Sequence, residues 1–522
     1  MAALLTLWPA AVLASGFEVP DNGTQALGRG TAFTAVANDG TAIEYNPAGL
    51  AQMSGLTLTL DLNQLTHNVS YTRTDPDGTD GHTHLVPVKN INPPFMAPMA
   101  ALTYARDLPL GRAAITAGAY GPPSVGKYMF PNPSDTNNPA VNAPQRYQLI
   151  QNNIFIVYPT LAATYQVSIP FGFISAGVAG QAVYSTFQFD EDLYAQPSQK
   201  TAFGTDVANG GDQGLPESQT VPAGTPNSRC DPTSGVCTRS YSPHPPTSLI
   251  WEDPGWDAEA KVNMKGKVAY TAVLGALVKL GPLKVGASYR PGYKLHATGT
   301  IDVTLPSVLT DPNAGVPIDA QVKGNQATLD LSWPSMTRIG ADVSVPFVPG
   351  DLDVSFDYTY TTWGVVDEFL LTPTNVQLVT QSAGTQSLAP VHIPKHLKNA
   401  SSYRFGVGYE LPIPLLKVQA RAGGYYDQSA LPEQYTTIDL AHFDEVGLTA
   451  GASVGINIGD IVGPLMLDLG VLYSPPDTRK VTDSQVQLTP ADQYLAHDTI
   501  GNGIYTESVL ILSIGVRGHF GI

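Results

Sequence analysis

The residues that offer chemistry in this sequence are few and scattered. Asp75-Pro76-Asp77-Gly78-Thr79-Asp80-Gly81 sets carboxylates at roughly calcium-loop spacing, but it lacks the distal glutamate that completes such a loop and reads as an acidic external turn. His82 and His84, just after it, read as solvated imidazoles. Cys230 and Cys237 lie in a Pro/Gly/Asp-rich stretch. Two cysteines make a poor zinc site, so a disulfide closing a small external loop in an oxidising compartment is expected, with no metal. No phosphate-cradling glycine loop and no His-Glu-x-x-His motif occurs, so neither an enzyme nor a cofactor is expected. What remains is binding chemistry of two kinds. Arg290, Arg338, Arg404, Arg421 and Arg517 could meet a carboxylate, and Tyr128, Met129, Phe130, Trp251 and Trp256 could form an apolar landing surface or an interfacial belt.

The elements that must position these residues are strands. From Leu352 the chain places Leu352, Val354, Phe356, Tyr358 and Tyr360 on one face and Asp353, Ser355, Asp357, Thr359 and Thr361 on the other, a period of two without exception. The stretches from Tyr403 to Leu411 and from Leu416 to Asp427 repeat the pattern, with Arg404 and Arg421 on the polar phase. The chain divides into about fourteen such strands between Gly55 and Phe520, among them Ala320 to Pro346 and Ser402 to Leu411. Tight connections such as Gly281-Pro282 alternate with long ones, as periplasmic turns and extracellular loops do in an outer-membrane barrel. The fold class is therefore all-β, a transmembrane antiparallel barrel over residues 54–522. Gly121-Pro122-Pro123, at the outer end of the third strand, either ends that strand or opens a gap in the wall, because proline supplies no ladder donor.

Composition agrees. Charged residues make up only 14% of the chain and tyrosines number 24, which suits a β-protein with an apolar exterior. A net charge of −17 without Lys/Arg clusters argues against nucleic acid as a partner. Met1 to Ala14 reads as a signal peptide without its basic start, with Val12-Leu13-Ala14 as the cleavage signal. Residues 15–53 are too short and too Gly-rich for a domain of their own. Asn46 can cap a helical turn that has Pro47 at its first position, and the whole segment reads as a plug for the barrel behind it.

The plug motifs Leu27-Gly28-Arg29-Gly30, Asn38-Asp39-Gly40 and Asn46-Pro47-Ala48 resemble the N-terminal hatch of the long-chain fatty acid transporter (FadL-type) family of outer-membrane proteins. Trp333-Pro334, Tyr360-Thr361-Thr362-Trp363, Tyr426-Asp427-Gln428-Ser429 with Pro432, and Asn502-Gly503-Ile504-Tyr505 are similar in type and order to later landmarks of that family. The resemblance implies a monomeric barrel of fourteen strands in the outer membrane of a Gram-negative bacterium, surrounded by lipid. It also implies passive uptake of long-chain fatty acids or other hydrophobic compounds, a hatch that shifts, and sideways exit near a kinked third strand. A general porin for small polar solutes and a membrane-embedded lipase are the alternatives.

Overall fold

The computed structural model describes residues 22–74, 85–121, 127–137, 139–195, 228–230, 237–239, 254–310, 320–347, 350–380, 384–413, 416–457, 462–487 and 499–520. Fourteen strands form a closed ring. They are β1 (Gly55–Arg73), β2 (Phe95–Leu108), β3 (Gly111–Tyr120), β4 (Gln151–Ile169), β5 (Gly172–Tyr194), β6 (Asp257–Gly266, then Ala269–Leu280), β7 (Leu283–Arg290, then Tyr293–Thr304), β8 (Gln326–Trp333, then Met336–Phe347), β9 (Gly350–Thr361, then Glu368–Pro373), β10 (Val391–Pro394, then Ala400–Leu411), β11 (Leu416–Asp427), β12 (Glu445–Asn457), β13 (Val462–Val481) and β14 (Gly503–Phe520). Every neighbouring pair is antiparallel. β14 returns to β1 in unbroken register from Leu56 opposite Phe520 to Arg73 opposite Gly503, which leaves the sheet without an edge.

Side-chain phase explains why the sheet closes this way. On β9, Ser355, Asp357, Thr359 and Thr361 are buried while Phe356 is 48% exposed. On β12 and β4 the outward Leu448 and Leu161 are 65% and 72% exposed. Polar groups turned in and aliphatic groups turned out is the reverse of a water-soluble sandwich, and it fits a wall with lipid outside and a polar lumen.

The strands read from sequence as single runs are in part jointed. β7 pauses at Pro291-Gly292, β8 at Pro334-Ser335 and β10 after Pro394, each at a proline that cannot donate to the ladder. With matching pauses in β6 and β9, five consecutive strands are interrupted along one seam. β10 also starts at Val391, earlier than the sequence suggested. A different interruption marks β3. Its register with β4 holds to Tyr120 opposite Tyr158, and pairing is described again from Lys127 opposite Asn153.

Residues 22–53 are almost wholly buried and lie within the ring. The short helix α1 (Thr24–Leu27) packs on β12, β13, β14 and β1. The 3-10 turn Pro47–Gln52 lies against β2 to β6. Between them α2 (Ala42–Tyr45) faces β6.

Candidate functional site: the lumen and the segment inside it

An irregular segment inside a barrel leaves backbone groups that the wall must satisfy. Asp61 on β1 accepts from the Thr24 N–H at 2.9 Å, and Asp357 on β9 accepts from Phe33 and Thr34 N–H at 2.8 and 2.7 Å. Arg338 on β8 donates to Glu44 O at 3.0 Å, and Ser288 on β7 to Tyr45 O at 2.6 Å. Thr164 and Ser175 donate to the carbonyls of Pro47 and Ala48 at 2.5 and 2.7 Å. Asn46 serves both partners: its Oδ1 caps the turn by accepting from Ala48 N–H at 3.1 Å, and its Nδ2 donates to Ala276 O on β6 at 3.0 Å. Gly28 and Gly30 lie where backbone meets backbone. A Cβ on Gly28 would stand 3.0 Å from Gly451 Cα, and one on Gly30, at φ +65, would stand 2.6 Å from Gly424 O.

Besides Arg338, two more of the arginines expected to face a ligand are engaged with this segment. Arg404 bonds Thr31 and pairs with Asp427 at 3.2 Å. Arg421 donates to Gln25 Oε1 at 3.0 Å and to Ser453 Oγ at 2.7 Å, with Asp468 4.0 Å away. Arg290 is buried on the inner face of β7. Asp39, whose Oδ1 accepts from the backbone and hydroxyl of Thr41 at 2.9 and 2.5 Å, is pushed above the usual carboxylate range by burial, against the opposing pull of Arg517.

Beyond these anchors one side of the lumen is apolar. One continuous cluster joins Ile43, Leu50 and Met53 of the segment to Ile156, Val183, Phe187, Leu295, Ile301 and Leu329 of the wall. Aromatic rings run along the same side. Tyr120 stacks on Tyr158 at 5.2 Å, the Tyr158 and Tyr293 hydroxyls meet at 2.7 Å, Tyr293 stacks on Trp333 at 6.0 Å, and Trp363 follows at 6.1 Å. Sequence reading named only the two tryptophans of this row, as family landmarks. The tyrosines sit on the inward phase, where their type alone did not set them apart. At the β3 interruption the Asn22 side chain donates to Gly121 O at 2.9 Å and to Glu44 Oε2 at 3.1 Å, tying the segment to the point where the wall ladder stops.

Tyr128 and Met129 are half-buried on the short strand Lys127–Met129, and Phe130 is buried with Tyr71, Leu149, Ile438, Phe443 and Tyr505. The backbone sets Cys230 opposite Cys237 in a small antiparallel pair, but their side chains lie outside the description. Residues 1–21, with the expected signal peptide, Asp75 to His84, Pro122, Pro123 and Trp251 also lie outside the described residues, as does the Trp256 side chain. One hydrolase-like pattern does occur, Gly451-Ala452-Ser453-Val454-Gly455, but it runs straight along β12 instead of turning into a helix. Ser453 Oγ is bonded to Arg421 and Asp468 there, as part of the barrel wall.

A family model described as outer membrane protein transport protein (OMPP1/FadL/TodX) matches residues 255–517, a little over half of the chain. Among solved structures, the chain is similar to a Pseudomonas aeruginosa FadL homologue at 16% identity and TM-score 0.63, over 97% of this chain and 100% of that one. It is similar to the Ralstonia pickettii toluene transporter TbuX at 17% and 0.55, over 96% and 99%. The Pseudomonas putida toluene transporter TodX gives 14% and 0.55, over 97% and 99%. At these identities the likeness is one of fold. No curated protein sequence matches the chain.

Proposed function

Since the chain belongs to the outer membrane transport protein family (OMPP1/FadL/TodX), we propose that it carries hydrophobic compounds passively across the outer membrane of a Gram-negative bacterium, as a monomer. Residues 15–53 act as its hatch. The observation that supports this most is the unbroken apolar lining from the outer ends of β6 to β9 down to Ile43 and Tyr120. A solute gains ~0.8 kcal/mol per buried CH₂ along such a surface and needs no energy input to enter it. It would land outside near Tyr128 to Phe130, with Trp251 as a further contact, descend to the hatch, and leave sideways where the β3 ladder stops at Gly121-Pro122-Pro123. Arg404 and Arg421 already hold the hatch, and this favours uncharged hydrocarbons over fatty acids, whose carboxylate would have to compete for them.

The test is uptake in cells whose own transporter of this class is deleted, with a labelled hydrocarbon, a labelled fatty acid and a labelled sugar. Leu329→Glu puts a charge into the lining and should cut hydrocarbon uptake at least tenfold while leaving the barrel assembled. Sugar entry at porin rates would instead support a general porin, and ester turnover by the purified protein would support the lipase reading.

A further inference from the structure

High in the lumen, beside the apolar cluster that holds Phe443, four titratable side chains are buried together: His67 on β1, His442 in the connection before β12, Glu445 at the start of β12 and Glu507 on β14. Their hydrogen bonds leave the His442 ring and one Glu445 oxygen without a partner among the described residues. Glu507 Oε2 accepts from Phe443 N–H at 3.1 Å, and Glu445 Oε1 accepts from the Tyr425 hydroxyl. His67 lies between Tyr128 and Glu507, at 2.6 Å and 3.1 Å. An ionised carboxylate cannot donate, so His67 Nε2 carries the proton toward Glu507 and Nδ1 accepts from Tyr128. By contrast, neither ring nitrogen of His442 has a hydrogen bond among the described residues, although the residue is only 4% exposed, and Glu445 Oε2 has none either.

One free nitrogen and the free carboxylate oxygen converge with Glu507 Oε1, the oxygen that His67 also meets. His442 Nδ1 stands 3.2 Å from Glu507 Oε1 and 3.8 Å from Glu445 Oε2, and the three lie within 4.8 Å of one another. Ligands ~2.0–2.1 Å from a tetrahedral zinc are about 3.3 Å apart, so this triangle needs little adjustment to close on an ion. A dication between Glu445 and Glu507 would also offset the burial of their two carboxyl groups. The imidazole selects a first-row transition ion over calcium or magnesium.

We propose that His442, Glu445 and Glu507 form a binding site for a divalent transition-metal ion of the zinc type. His67, Tyr425 and the Phe443 N–H hold the two carboxylates in place around it, as outer-shell partners do. The ion would clamp the inward-folded connection 428–444 to β12 and β14. That connection carries Ala430 and Leu431 into one apolar cluster and Ile438, Ala441 and Phe443 into another, so the clamp fixes the inner surface of the external half of the lumen.

The experiment uses the full chain without a histidine tag, in detergent, stripped with a chelator and titrated with Zn²⁺ alone. Equilibrium dialysis with elemental analysis should find close to one zinc per chain. His442→Gln and Glu445→Gln should each weaken binding at least tenfold with unchanged heat-modifiable gel mobility, and His67→Gln should weaken it less. X-ray absorption of the loaded protein should show an all N/O shell that includes imidazole. Zinc binding equal in all variants, no stoichiometric binding by the natural chain, or a shell without imidazole would each overturn the assignment. None of these results depends on transport.

Discussion

At the scale of single residues, the lumen is specified by close approach and by buried charge. Gly30 holds a left-handed φ and touches the β11 backbone, so Gly30→Ala adds ~1–2 kcal/mol of conformational cost to a steric clash. The barrel should assemble normally while the segment becomes sensitive to protease and the ion conductance of single molecules in planar bilayers rises. Asp39 predicts a pH dependence. Its pKa is raised above the ordinary 3.8 because burial opposes its charge. The seated segment therefore keeps a proton that a released one gives up. Seating is tightest below the ordinary value and weakens as pH rises through the raised one. Opening events in bilayer recordings should become more frequent from about pH 4 upward, and Asp39→Asn, which keeps an acceptor for Thr41, should flatten that slope. An equal slope in the variant would assign the effect to other carboxylates.

At the scale of elements, the seat of the 3-10 turn depends on a cap that also reaches the wall. Asn46→Ala removes the bond to Ala48 and the one to Ala276 together, a loss of ~1–2 kcal/mol that hydrogen exchange at Ala48 and Gly49 should show as faster protection loss, with β6 unchanged. This cap was legible in the sequence, because Asn before Pro at a helical start has one local meaning. The strands were legible for a similar reason: a period of two admits one buried face, and the alternation from Leu352 to Thr361 told which residues point inward. What they point at was less legible. Arg404 and Arg421 read as lumen cations, but that they hold Thr31 and Gln25 is set by how the segment lies across the ring. The same holds for His442, Glu445 and Glu507, which come from one connection and two strands and have no motif spacing. Pauses in β7, β8 and β10 could have been read from Pro291, Pro334 and Pro394, whereas that in β6 carries no such mark.

At the scale of the whole molecule, the outward aliphatic belt suits a lipid surround. Leu161→Arg places a cation on that belt and should cost ~2–4 kcal/mol if the residue lies near mid-bilayer, read as a lower urea midpoint for folding into liposomes. The jointed strands give the barrel a property that an unbroken one of equal size would lack. Ladder bonds make a wall stiff, and five neighbouring strands break their regular pairing at one level, where single bonds such as Lys267 N–H to His296 O and Thr362 N–H to Ser335 O remain and Tyr293, Trp333 and Trp363 line the inside. That level is expected to yield more easily than the four strands β11 to β14, each of which runs without such a pause. The compliance of the vessel is thus one-sided, greatest where its greasy interior has to widen around a guest.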